Sequence, residues 1–110
     1  MVGGVVPEYE EWRYVMNFPE YVISNLGNIR RAGGQMGRPL SLHADENGNV
    51  FVMLAADGNE RRRLRLDKIV AASFLPPVRG RAMSQEIIHL DGNRSNCRSD
   101  NLAWPTKERR

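Results

Sequence analysis

Cysteine is almost missing from this 110-residue chain, which carries Cys97 and no other. That excludes an internal disulfide and the paired-cysteine zinc knuckles of some small domains, so no structural zinc is expected and a reducing, intracellular setting fits best. Long apolar runs are missing too. Residues 1–7 have neither the basic start nor the apolar core of a signal peptide, and no later stretch approaches a membrane span. A cytoplasmic protein without membrane contact is expected. At this length the chain forms one small unit with a modest core.

The formal charge of +3 is uninformative until it is divided by position. Residues 1–60 hold four basic and eight acidic side chains, whereas residues 61–110 hold twelve basic and five acidic. The first part is therefore net −4 and the second +7. A polyanion is the natural partner of the second part, because each arginine or lysine that neutralises a phosphate releases condensed counterions.

Residues 11–31 run through short aromatic and β-branched stretches broken by Pro19 and Gly27, the pattern of short strands. Asn25-Leu26-Gly27-Asn28 is a turn candidate. Residues 31–38 read as an exposed loop, and residues 40–43, 50–54 and 61–66 as strands of an antiparallel meander. The connectors at 45–49 and 57–59 carry hairpin chemistry. In the last of these strands Leu64 and Leu66 are expected to face the core, with Arg63 and Arg65 facing out. Residues 67–74 have the spacing of a short amphipathic helix capped by Asp67 and ended by Pro76 and Pro77. Trp12, Phe74 and Trp104 read as core anchors, His43 as a structural residue and Cys97 as a small semi-buried side chain.

After a basic linker at 78–84 comes the most specific stretch, Ile88-His89-Leu90-Asp91-Gly92-Asn93-Arg94-Ser95-Asn96, leading to Asn101-Leu102-Ala103-Trp104. A histidine at the end of a strand can take a proton from water, and a Gly-Asn turn then reverses the chain. A later asparagine can tie the intervening loop to its own backbone. Residues 102–104 pair back as the second strand, and Pro105 can open a helix.

These residues resemble the HNH endonucleases of phages and mobile introns. Residues 12–31, with Trp12, Phe18-Pro19, Tyr21-Val22-Ile23-Ser24-Asn25 and Leu26-Gly27-Asn28-Ile29-Arg30, are similar to the nuclease-associated modular segment that precedes such domains. Residues 64–75 and 89–104, with Val70-Ala71-Ala72-Ser73-Phe74-Leu75 and His89-Leu90-Asp91-Gly92-Asn93, are similar to the HNH module itself. The implied organisation is a modular segment at 1–45 and an HNH module at 46–110, packed as one unit. The implied fold is α+β, a small antiparallel sheet with a short helix beside a ββα-metal hairpin whose final helix is truncated.

The resemblance also implies roles. His89 matches the general base and Asn101 the central asparagine that orients its loop, while Asp91, Gly92, Asn93 and Asn96 brace that loop. One Mg2+ or Mn2+ ion would stabilise the leaving oxygen. Duplex DNA is the implied partner. Arg94 and Arg98 are expected as backbone clamps, with Arg61, Arg63, Arg65, Arg79 and Arg81 extending the phosphate contact and Arg30 and Arg31 available beyond them.

Two positions depart from the pattern. The family usually places metal ligands immediately before the general base and on the final helix, where this chain has Ile88 and Arg110. Neither side chain can coordinate a cation, which leaves Asp91 and Glu108 as the acidic candidates. The implied activity is metal-assisted cleavage or nicking of duplex DNA. The alternative is a catalytically silent DNA-binding descendant of such a nuclease.

Overall fold

The computed structural model describes residues 9–33, 40–55, 60–76 and 86–105. Its elements run β1 (Trp12–Val15), β2 (Phe18–Ser24), β3 (Ile29–Arg31), β4 (His43–Ala44), β5 (Val50–Ala55), β6 (Arg61–Arg65), α1 (Leu66–Phe74), β7 (Ile88–His89), a 3₁₀ turn (Ser99–Asn101) and β8 (Leu102–Ala103). They form two three-stranded antiparallel sheets, β1-β2-β3 and β4-β5-β6, and a two-stranded hairpin of β7 and β8. This is the expected small α+β arrangement. The final helix, the linker at 78–84 and the connector at 57–59 lie outside the described residues.

Alternation sets the faces of the first sheet. Tyr21, Ile23 and Ile29 point into the core, while Tyr14, Val22 and Arg30 stand abreast on the other side. Trp12 shares that outer side, with the Arg30 guanidinium 5.4 Å from its ring centre. The expectation that Trp12 anchors the core is therefore corrected, because its register with Ser24 turns it away. Phe74 and Trp104 do pack against the core.

In the second sheet Val52 and Leu54 face inward, and Val52 is level with Leu64. Phe51, Met53 and Ala55 share the outward face with Arg65, Arg63 and Arg61 respectively. One hydrophobic cluster joins both sheets, helix and hairpin, taking in Val15, Ile23, Val52, Leu54, Leu66, Val70, Ile87, Cys97 and Leu102. Burying each large aliphatic side chain contributes roughly 1.5–3 kcal/mol. The Tyr21 hydroxyl adds a polar tie between the sheets by accepting the Ala55 N–H at 3.0 Å.

Two expected turns form as read. Gly27 at φ +90° closes 25–28, and the Ser24 hydroxyl accepts the N–H groups of Leu26 and Asn28. A Cβ on Gly27 would also stand 3.4 Å from the Cys97 carbonyl oxygen, so the glycine lets the hairpin loop approach. At 45–49, Asp45 accepts the N–H groups of Asn47 and Asn49, and Gly48 takes φ +88°. Ser95 donates to the Gly48 carbonyl at 2.9 Å and the Ser99 N–H donates to the Asn25 carbonyl at 2.8 Å. The loop after β7 is thereby fastened to both sheets.

Helix α1 ends as Leu75 turns extended ahead of Pro76. Its start differs from the reading. Arg65 occupies the cap position without a side-chain cap bond, and Asp67 lies inside the first turn, buried at 3% exposure. A carboxylate on the buried side of a helix has to be partnered, because ionised groups are costly to desolvate. Its partners define the site.

Candidate active site

Strand β7 alternates about the sheet plane. Ile87 is buried and Ile88 exposed, the His89 side chain is 5% exposed, and Leu90 points out. The ring of His89 thus enters the protein beside the first turn of α1. Its Nε2 lies 3.0 Å from Asp67 Oδ2, and its Nδ1 lies 3.1 Å from the backbone carbonyl oxygen of Asn96. Both neighbours are acceptors, so a ring with one proton can satisfy only one of them and a doubly protonated ring satisfies both.

Asp67 is held from the other side by Arg65, whose Nη2 donates to Oδ2 at 2.7 Å and whose Nε donates to Oδ1 at 3.2 Å. This two-point clamp fixes the carboxylate plane. Arg65 also reaches Glu86 at 3.4 Å. Burial works against the Arg65 charge, but the hydrogen bonds and charge of Asp67, and then those of Glu86, outweigh it and raise the guanidinium pKa above its ordinary value. The expectation that Arg65 faces out is corrected here. Arg65 starts on the outer face of β6 and turns back onto Asp67, leaving its side chain 18% exposed.

The loop carrying the His89 contact is stitched by its own polar side chains. Asn101 Oδ1 accepts the Asp91 N–H at 3.0 Å, while its Nδ2 reaches Asp91 Oδ1 and the Asn96 carbonyl, each at 3.0 Å. Asp91 Oδ1 also accepts the Asn93 N–H at 2.8 Å, and Oδ2 accepts Asn96 Nδ2 at 2.9 Å. Hydrogen bonds from Asn96 first, then from Asn93 and Asn101, lower the Asp91 pKa from its ordinary value. Asn93 Oδ1 accepts the Ser95 N–H. Gly92 adopts φ +78° with open space around it, so the backbone angle alone calls for glycine there.

The structure therefore brings together His89, Asp91, Asn93, Asn96 and Asn101, with Gly92 at the turn. The Asn96 carbonyl is their meeting point, receiving Asn101 from one side and facing His89 on the other. Arg94 is exposed in this loop, whereas Arg98 pairs with Asp100 through bonds of 3.1 and 2.9 Å. Arg61 and Arg63 lie apart from the histidine on the outward face of β6, with Arg63 stacked 3.8 Å above the Phe51 ring. Arg79, Arg81, Glu108 and Arg110 lie outside the described residues.

Sequence reasoning missed Asp67 as part of the site because an acidic residue at a helix start reads as a cap. A signal was present. Asp67, Val70, Ala71 and Phe74 fall on one helical stripe, and three of them are apolar.

Among the described residues no group of three or more His, Cys, Asp or Glu side chains is placed to hold a metal ion. Ile88 offers no donor, Asp91 already accepts three side-chain and backbone bonds in its loop, and Asp67 is clamped by a guanidinium. These described residues do not make a cation site.

A model of the HNH endonuclease family matches residues 80–110. An uncharacterized HNH endonuclease of Acanthamoeba polyphaga mimivirus is 26% identical over 98 residues, which cover 88% of this chain and 23% of the viral protein. A solved structure concerned with DNA binding and cleavage by the HNH homing endonuclease I-HmuI aligns with a TM-score of 0.72 and 26% identity. That alignment covers 87% of this chain and 52% of the other, so the chain corresponds to a part of each relative. The class so matched is a small α+β fold of the kind seen in that HNH homing endonuclease structure. By family model, viral relative and solved structure alike, the chain is similar to HNH endonucleases. No helix among the described residues is long and apolar enough to cross a membrane.

Proposed function

We propose that this chain binds duplex DNA and cleaves or nicks it by phosphodiester hydrolysis, with His89 as the general base and Asn101 as the residue that orients its loop. The observation that carries the reading is the fixed position of His89 on the hairpin, held at Nδ1 by the Asn96 carbonyl that Asn101 also holds. Residues 1–45 serve as the modular DNA-contacting segment and residues 46–110 as the nuclease module. Arg61, Arg63, Arg94 and Arg98 contact phosphates, Arg79 and Arg81 extend the footprint, and Arg65 serves Asp67. HNH nucleases generally use a divalent metal, and Mg2+ and Mn2+ are the ions to supply. The viral relative fits an intracellular, phage or mobile-element setting.

A second reading is a silent DNA-binding descendant, favoured by Ile88 where the family has a metal ligand and by the occupation of both His89 nitrogens. Conversion of supercoiled plasmid to nicked or linear form, in Mg2+, Mn2+ or EDTA, separates the two. Cutting that disappears in EDTA and in His89→Ala supports the nuclease, whereas salt-sensitive binding without cutting in any metal supports the silent module.

A further inference from the structure

We propose that the groove between helix α1 and the β1–β2 turn is a docking site for a peptide segment of a partner protein, one that carries a large apolar residue beside an aspartate or glutamate. The groove does not belong to the histidine site. With about 3.6 residues per turn, Lys68, Ile69 and Ala72 share one face of α1 and Asp67 lies on the opposite one. Along β2 the separation repeats, because the groove lies at the Phe18 end while the turn that holds Ser99 follows Ser24 at the other.

The walls come from two elements. Ile69 and Ala72 form one side, and Val15 and Phe18, paired across the Met16-Asn17 turn, form the other. Asn17 at φ +70° makes that short reversal possible. Leu64 of β6 also lines the trough, which encloses about 350 Å³. This is the small end of ligand pockets, which run from roughly 300 to 1,000 Å³, and it suits one or two anchoring side chains. Met16 stands at the lip, 63% exposed. An unbranched thioether there adapts to anchors of different shape.

Charge selects the occupant. Among the described residues that line the groove are two cations, Arg65 and Lys68, and no carboxylate. Lys68 makes no hydrogen bond or ion pair with another described residue. Arg65 commits Nε and Nη2 to Asp67, but its Nη1 reaches Glu86 at 3.4 Å, and that glutamate is 77% exposed. So exposed a pair is weak, and an incoming carboxylate can take the place of Glu86. An apolar trough with cations along its rim therefore matches an apolar anchor flanked by acid, the anchor supplying affinity and the acid supplying orientation. A DNA backbone meets the lysine but leaves the trough unfilled.

The test selects a random heptapeptide library, displayed on phage, against the intact chain. Enriched peptides are expected to carry a large apolar residue within two positions of an aspartate or glutamate. Made synthetically with a fluorescent label, they are expected to bind Lys68→Glu on the order of tenfold more weakly than the unaltered chain. Ala72→Trp fills the trough and is expected to abolish binding, with circular dichroism establishing that the variant is folded. Met16→Asp, at the exposed lip, repeats the test without disturbing packed residues and is expected to weaken binding as well. Duplex DNA affinity of Lys68→Ala is expected to stay within about twofold of the unaltered chain, because the rim is not assigned to phosphate. No enrichment, enriched peptides without acidic residues, or equal binding to the unaltered chain and the folded variants overturns the proposal. A salt slope for DNA binding that falls by about 1 in Lys68→Ala assigns the rim to DNA and overturns it too. Because peptide binding is read without DNA cleavage, failure of the nuclease reading leaves this result unchanged.

Discussion

Oδ2 of Asp67 sits 3.0 Å from Nε2 of His89, although the two residues are 22 positions apart and belong to different elements. The contact joins the first turn of α1 to strand β7 and is shielded from solvent on both sides. Because Arg65 completes it, the histidine is set by residues of the helix as well as by its own loop.

Removal of Arg65 should therefore act through Asp67. We predict that Arg65→Gln lowers the cutting rate and lowers unfolding stability by about 3 kcal/mol, as expected when a buried charge loses its partner. Urea denaturation checks the stability, and DNA affinity measured alongside should change little. A large affinity loss at unchanged stability would instead return Arg65 to the phosphate-binding group.

Asn101 makes three bonds inside its loop. Replacement by alanine removes all three bonds of a buried side chain, at a cost of about 2 kcal/mol. Denaturation and amide hydrogen exchange of residues 91–96 should show the loss together, with faster exchange confined to that loop.

Asp91 gives the loop an acid limit. Its folded pKa is lowered, so its contribution is present above the unfolded value of about 3.9 and is lost as pH falls through the folded value. The protection of the Asn93 amide, measured against its intrinsic exchange rate at each pH, should fall across that acid range. In Asp91→Asn the exchange should already be fast at neutral pH and lose this dependence.

Cys97 should be inert. Burial, then the charge of Asp67, pushes its thiol up to about 12, so at pH 8 only about one molecule in 10⁴ carries the thiolate. A chromogenic disulfide reagent at pH 8 should react with it only after denaturant is added. Prompt reaction in the native protein would show that the loop opens.

The outward arginines can be sorted by salt. Arg61→Ala and Arg63→Ala should each reduce the slope of log affinity against log salt by about 1, as for loss of one phosphate contact. Arg62 lies on the opposite face, 3.8 Å from Glu60, and Arg62→Ala should leave the slope unchanged.

The sequence was most legible where one local rule decided the outcome. Gly27 and Gly48 marked real turns, the period of residues 67–74 marked α1, and the spacing from His89 to Asn101 marked the hairpin. Trp12 was misread because hydrophobicity does not reveal which side of a strand faces the core, and its pairing with Ser24 decides that. Arg65 and Asp67 were misread for a related reason. Alternation places an arginine outward and a helix start favours an acidic cap, but the contact with His89 depends on chain folding over 22 positions. Ile88, where the sequence resemblance leads one to expect a metal ligand, is exposed on β7.

The most direct test of the account is single-turnover cleavage of an end-labelled duplex by the intact chain and by His89→Ala, with the dissociation constant of each measured on the same duplex. The account predicts that the substitution lowers the cleavage rate at least about 10²-fold, as for loss of a general base, while affinity stays within about twofold. Equal cleavage by the two proteins, or cleavage and binding lost together in a folded variant, would contradict it.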